Sequence, residues 1–174
     1  MKVIIINGAG GCGKDTFIKF FEKYAKEKCV FNISTVDTVK KVAKILGWNG
    51  QKDNESRRYL SLLKEMSIYW DDMPFKDMMR QARYYWSHLS NYDMADDGFL
   101  FIHSREPKEI QRLVDNMEYP TITLLIRRAH DGKYGNHSDD DVENYVYDYV
   151  IDNNGTLEDL DWSAKEFYEK IKKA

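Results

Sequence analysis

The sequence predicts an α/β protein built as a three-layer sandwich, with a five-stranded parallel sheet between helices. Three observations lead there. Five short apolar runs, at 2–7, 30–35, 99–103, 121–126 and 147–152, look like strands buried in a parallel sheet. Helix-period segments lie between most of them, and alternating strands and helices imply a parallel sheet with both faces covered. The length, 174 residues with 43% hydrophobic and 14% aromatic content, suits a single domain with a proper core.

The elements follow in order. Residues 2–7 form the first apolar run and lead into a glycine-rich stretch. Residues 15–27 carry Phe17, Ile18, Phe20, Phe21 and Tyr24 at helical spacing. Residues 30–35 form a second strand, and 38–46 a helix with Val39, Val42, Ala43 and Leu46 ahead of a Gly47 stop. The segment 47–90 is too long for a simple crossover and too patterned for a loop, which predicts a helical insertion. Within it, 55–69 and 75–89 have helical patterns, with Asp72 or Met73 as a cap ahead of Pro74. A third strand at 99–103 precedes a helix at 106–116, and a fourth strand lies at 121–126. The segment 128–143 is polar, contains Gly132, Gly135 and the acidic run Asp139 to Asp141, and is expected to form a short lid. A fifth strand at 147–152 and a helix at 162–172 complete the chain. Ligands of such a sheet gather at the carboxyl ends of the strands.

Charge and cysteine usage narrow the function. A formal net charge of −3 argues against a broad electrostatic grip on nucleic acid, which requires a strongly basic face. Cys12 and Cys29 show no CxxC or Cys/His spacing, which fits a reduced cytoplasmic protein without a disulfide or zinc framework. No apolar run has membrane-spanning length, and the amino terminus begins a strand without a signal-type segment. No internal repeat or low-complexity linker is visible.

The stretch Gly8-Ala9-Gly10-Gly11-Cys12-Gly13-Lys14-Asp15-Thr16 is the most informative. Glycines let backbone N–H groups curl around an anion without Cβ obstruction, a helix start adds its positive dipole end, and Lys14 can reach the outer phosphates. The bare Gly-x4-Gly-Lys spacing arises by chance in roughly 5% of chains this long at average composition. A strand directly before it and a helix directly after make it far more specific, and predict nucleoside triphosphate binding at Gly8, Gly10, Gly11, Cys12, Gly13, Lys14, Asp15 and Thr16. Asp15 stands where Ser or Thr usually holds Mg²⁺. It either organises the metal or acts as a base, or it caps the helix from its first turn. Cys12 is a small filler of the loop, and the Thr16 hydroxyl is placed to meet phosphate or metal.

Phosphoryl transfer needs positive charge beyond the loop lysine. Arg105 follows the third strand, where it either serves the site or pairs with Glu106 or Glu109. Arg127 and Arg128 open the lid segment, so that one of them could swing onto the transferring phosphate; solvated charge is the alternative for both. Arg57 and Arg58 open the insertion, and Arg80 and Arg83 share a helical face within it. One or two of these four are expected to face an acceptor phosphate. Asp37 and Lys40 follow the second strand as acceptor-binding candidates, with Asp37 either orienting an acceptor hydroxyl or capping a helix. Tyr84, Tyr85 and Trp86, with Tyr69 and Trp70 ahead of them, form either a stacking wall for a base or core. The four histidines have no metal-ligand spacing, and His103 at a strand end draws most interest.

These residues resemble the P-loop nucleoside monophosphate kinases, above all the phage-type deoxynucleoside monophosphate kinases. The ending Gly13 to Thr16 is similar to theirs, and also to that of animal-type phosphomevalonate kinases. His103 to Glu109 is similar to the family's segment after the third strand, with Arg105, Pro107 and Glu109 in place and His103 where the family has an acidic residue. Asp148 to Leu160, with Ile151, Asn153, Gly155 and Leu157, resembles the last strand and the Asn-x-Gly-Thr-Leu turn. The resemblance covers about two thirds of the chain and is weak in the insertion. It implies a P-loop NTPase sandwich with strand order 2-3-1-4-5, ATP and Mg²⁺ at the loop, and a catalytic arginine from the lid at Arg127 or Arg128; on the reading of the loop itself, Asp15 and Thr16 are the metal-binding candidates.

The activity expected is therefore ATP- and Mg²⁺-dependent transfer of a phosphoryl group to a nucleoside or deoxynucleoside monophosphate, with Lys14, Arg105, Arg127 and Arg128 as catalytic candidates. The alternatives are a kinase of another small phosphorylated metabolite, such as phosphomevalonate, and a nucleotide-binding switch without transfer. The partners expected are small-molecule nucleotides, with no nucleic acid and no membrane, and a homodimer is left open.

Overall fold

In a computed structural model, residues 1–26, 28–92, 98–129 and 141–172 are described. Strand β1 (Lys2–Asn7) lies at the centre of one sheet ordered β2-β3-β1-β4-β5. The others are β2 (Cys29–Ser34), β3 (Gly98–His103), β4 (Thr121–Arg127) and β5 (Tyr149–Asp152). Every pairing is parallel, with Ile6 level with His103, Ser34 level with His103, and Arg127 level with Asp152. All five strands therefore end on one edge. Strand order and fold class match the sequence expectation.

The two-residue period of β1 divides the core. Ile4 and Ile6 join Phe99, Phe101, Leu124 and Ile126 on one face. They pack against Phe17, Ile18 and Phe21 of α1 (Lys14–Tyr24) and Leu160, Ala164, Phe167 and Ile171 of α6 (Leu157–Ile171). Val3 and Ile5 join Ile33, Leu100 and Ile102 on the other face. There they meet Met78, Met79, Ala82 and Leu89 of α4 (Met73–Ser90) and Ile110 and Leu113 of α5 (Pro107–Asn116). Phe21 is the hub of the first core, edge-on to Phe99, Phe101 and Tyr168.

Helices α2 (Asp37–Ile45) and α3 (Asn54–Asp71) complete the set, so that α3 and α4 fill the 47–90 insertion. Asp72, with φ 51°, ends α3 and starts α4, and its carboxylate takes Arg112 of α5. Several boundaries differ from the sequence expectation. The last helix begins at Leu157 rather than 162, because Thr156 and Asp159 form a reciprocal capping box that starts it a turn and a half earlier. The first helix ends at Tyr24, ahead of residue 27, and β5 begins at Tyr149, two residues late. Most of the 128–143 lid segment, residues 130–140, lies outside the described residues. Among the described residues no helix is long and apolar enough to cross a membrane.

Candidate active site

The loop after β1 sits at the carboxyl edge of the sheet, directly ahead of α1. Its shape depends on glycine at two points. Gly8 has φ 145°, and a Cβ there would lie 2.3 Å from the Ile126 carbonyl oxygen and 2.6 Å from Cys12 Sγ. Gly13 has φ 102° at the N-cap of α1, and a Cβ there would lie 2.5 Å from Asn153 Nδ2. A side chain at either position would be strained and would displace a neighbour. Cys12 is buried beneath the loop, as a filler should be.

Side chains from distant elements hold this loop. Asn7 is buried; its Oδ1 accepts from Gly8 N–H at 2.7 Å, and its Nδ2 donates to the Arg105 carbonyl at 3.0 Å. Tyr147 Oη lies 2.6 Å from Asn7 Nδ2 and donates to the Val142 carbonyl at 2.8 Å. Burial pushes the Tyr147 phenol up to about 12, so it remains protonated at neutral pH. From the far end of the chain, Asn153 Nδ2 donates to the Cys12 carbonyl at 2.8 Å while its own N–H donates to the Arg127 carbonyl at 2.7 Å. One asparagine thus ties the loop to the end of β4.

Lys14 folds over the loop and donates to the Gly8 and Ala9 carbonyls, the latter at 2.9 Å. A cation is thereby held at the mouth of the loop, with the N-terminus of α1 behind it. Asp15 is 85% exposed in the first turn, with its Oδ1 3.8 Å from His103 Nε2. It makes no capping bond, and the N-cap of α1 has no side-chain partner. Thr16 is also without a hydrogen-bond partner among the described residues. A carboxylate and a hydroxyl beside a glycine loop and a helix N-terminus fit the way Mg²⁺ is held, by one or two protein oxygens plus substrate phosphates and water.

His103, at the end of β3, hydrogen-bonds Asn32 Oδ1 through Nε2 at 2.8 Å. Burial lowers its pKa; Lys14 and Arg105 push the same way, while Asp15 and Asp37 oppose them. It is therefore neutral at pH 7, with the proton placed on Nε2 by the Asn32 acceptor. Arg105 is half-buried at this edge, close enough to act on His103. Asp37 accepts from Ser34 N–H at 2.8 Å and lies 3.7 Å from Lys40. It is the first residue of α2, whose N-cap Val36 has no side-chain cap, so its carboxylate closes the turn after β2 and does not cap the helix.

The paired arginines separate. Arg127 is clamped on Asp152, with its Nε 2.6 Å from Oδ1, and reaches Glu143 at 3.4 Å. Hydrogen bonding and charge from Asp152 raise its pKa, and the same bond lowers that of Asp152. Arg128 is exposed and has no ion pair among the described residues, while the backbone on either side of it is tied down by Asn153 and Asn154. In the insertion, Arg80 pairs with Asp77. Burial would raise the Asp77 pKa, yet bonds from Thr38, Arg80 and Gln81 hold it below the usual value. Arg83 pairs with Glu118 at 2.9 Å, ahead of β4 and therefore at the opposite edge of the sheet from the loop. Arg57 and Arg58 are exposed and without ion pairs among the described residues.

Sequence reasoning missed Lys64. Its ammonium lies 3.1 Å from Glu106 and 3.3 Å from Glu109, and Glu109 also accepts from Ser104 at 2.8 Å and Thr35 at 3.3 Å. Lys64 and Glu109 are only 14% and 16% exposed. This cluster fastens α3 to the carboxyl edge, and no local pattern signals it. Arg57 lies seven residues before Lys64, on the same side of α3, and so faces the same edge. The aromatic wall does not form at the site. Tyr85 stacks on Phe31 with centroids 4.2 Å apart, Trp86 stacks on Tyr119, and Tyr69 and Trp70 are exposed.

No protein-family model matches the sequence, and no curated protein matches it. Among solved structures, the chain is similar to an unliganded sugar kinase from Janibacter sp. HTCC2649, with a TM-score of 0.50 and 12% identity over 97% of this chain and 95% of that one. It is also similar to an APS kinase from Mycobacterium tuberculosis, with a TM-score of 0.48 and 10% identity over 98% and 96% of the two chains. At this identity the likeness bears on the fold. It agrees with the α/β fold of five parallel strands between helices described above.

Proposed function

We propose that the protein is an ATP- and Mg²⁺-dependent phosphotransferase acting on a nucleoside or deoxynucleoside monophosphate. The observation that carries the phosphotransferase reading is the loop itself. Glycines with positive φ, a lysine folded over the loop carbonyls and a helix N-terminus converge at the carboxyl end of the central strand. The monophosphate acceptor is supported by the resemblance of segments 13–16, 103–109 and 148–160.

The chemistry is mostly positioning and electrostatics. Backbone N–H groups from Gly10 to Lys14 bind the β-phosphate, and Lys14 leaves the loop carbonyls to bridge β- and γ-phosphates. An oxygen of the acceptor phosphate attacks the γ-phosphorus while the bond to the β–γ bridging oxygen breaks, and ADP leaves. Arg105 and Arg128 neutralise charge on the migrating group, since Arg127 is occupied by Asp152 and Glu143. Bound Mg²⁺, held by Asp15 and Thr16, would neutralise phosphate charge in the same place. A phosphate acceptor is already ionised, so a neutral His103 in place of an acidic residue removes no required base. The 47–90 insertion supplies the acceptor side through Arg57, and the segment 128–143 supplies the lid.

A second reading keeps the transfer and changes the acceptor to a phosphorylated metabolite without a base. It is favoured by the stacking of Tyr85 and Trp86 on other rings of the protein, which removes the expected base platform. A coupled ADP-release assay with ATP and Mg²⁺ separates the readings across ribo- and deoxynucleoside monophosphates, phosphomevalonate and a no-acceptor control. Release stimulated by one nucleotide, and lost by ~10²-fold or more in Lys14→Ala as for removal of one charge-stabilising donor, is the expected result. ATP binding without stimulation by any acceptor would leave a switch and overturn the proposal.

A further inference from the structure

Helix α3 is 18 residues long and has no fully buried residue. Its exposed side chains are nonetheless large and apolar: Leu62 is 51% exposed, Met66 62%, Tyr69 85% and Trp70 84%. Leu62, Met66 and Tyr69 recur at intervals of four and three, one stripe along one side of a helix, and Trp70 flanks it. Single exposed apolar residues are ordinary, but a contiguous stripe of this kind marks an interaction surface. The stripe does not serve the active site. Lys64, which points at Glu106 and Glu109 on the carboxyl edge, is two residues from Leu62 and from Met66, so the stripe lies about half a turn round the helix from it.

We propose that this stripe is the interface of a homodimer, with α3 packed antiparallel against α3 of a second copy across a twofold axis near Met66. This proposal does not rest on the reading of the active site. Area supports it. Two aromatic side chains exposed to this extent offer about 400 Å², and Leu62 and Met66 add on the order of 200 Å². With a polar rim this approaches the roughly 800 Å² per partner of a stable interface. A single stripe around one axis is also the geometry of an isologous contact, in which the same patch serves both copies. Charge supports it as well. Arg58 is exposed in the second turn of α3, on the same side as Leu62 and Met66. In an antiparallel pairing about Met66 it lies just beyond the carboxyl end of the partner's α3, the end at which a helix favours a cation.

Sedimentation velocity at micromolar concentration tests this on the full chain, alone and as Met66→Glu/Tyr69→Glu. Both positions are exposed, so folding should persist, which circular dichroism checks. The expected result is a species of twice the 20.6 kDa chain mass for the wild type and a monomer for the double variant, with association weakened more than 100-fold. A Cys introduced in place of Met66, with Cys12 and Cys29 replaced by Ser, should crosslink to itself across the axis under mild oxidation. A monomeric wild type overturns the proposal, and so does a double variant that remains dimeric. A dimer that forms no Met66→Cys crosslink places the axis elsewhere and overturns the antiparallel arrangement.

Discussion

Replacing Asn153 with alanine should loosen the glycine loop after β1 from a position 141 residues away in sequence. The Asn153 side chain is buried, and its Nδ2 donates to the Cys12 carbonyl at 2.8 Å beneath the loop. Removing the donor leaves a buried carbonyl unsatisfied, at a cost of about 1–3 kcal/mol. At roughly 2–4 °C per kcal/mol for a chain of this size, the melting temperature should fall by roughly 3–10 °C. The loop then spends part of its time away from the competent shape, and apparent affinity falls in proportion to the competent fraction. A tenfold loss of ATP affinity corresponds to about 1.4 kcal/mol, well within that range. Thermal denaturation and titration calorimetry with ATP read the two effects separately. Asn154→Ala is the control: its Oδ1 accepts from Ala129 N–H at 2.7 Å, so it should cost stability without touching the loop. Asn153→Asp should be worse than alanine, because a carboxylate oxygen would then face the Cys12 carbonyl. A folded Asn153→Ala protein that binds ATP within twofold of wild type would refute the idea that this bond holds the loop.

Three further outcomes are expected. Arg128→Ala should lower turnover by ~10³-fold or more if it acts on the migrating phosphoryl group, whereas Arg127→Ala should chiefly release the Asp152 and Glu143 contacts; steady-state kinetics showing the opposite ranking would reverse the assignment. His103 has a folded-state pKa below the ordinary 6.5 of histidine, mainly through burial, so its neutral form favours folding above about pH 6.5. That contribution is lost as pH falls through the unfolded and then the folded pKa. Urea titrations should show a decline in stability over this window for wild type that is flatter in His103→Gln, and identical pH profiles would contradict the burial argument. Phe21→Ala removes a fully buried ring in contact with Phe99, Phe101, Phe167 and Tyr168 and should cost about 3–5 kcal/mol, measurable by chemical denaturation. A loss under 1 kcal/mol would mean that the core collapses around the gap.

By itself, the sequence was enough for the features whose causes are local. The run at 2–7 announces a strand buried on both faces, the spacing of Gly8, Gly13 and Lys14 announces a tight glycine loop ahead of a helix, and the alternation of strands and helices announces the parallel sandwich; the strand order follows from the family resemblance. These follow from periodicity and backbone freedom within a few residues. The capping box at Thr156 and Asp159 is equally local, and it starts the last helix five residues ahead of the expected boundary. Tertiary structure alone decided which charges are committed. Arg127 and Arg128 are adjacent and chemically identical, yet only Arg127 lies level with Asp152 on the neighbouring strand. Lys64 joins Glu109, Arg83 joins Glu118, and Asn153 joins Cys12 across separations of 35 to 141 residues. Hydrogen bonds and ion pairs depend on position to within an ångström or so. Sequence spacing supplies that precision along one helix or strand and loses it once the chain turns back on itself.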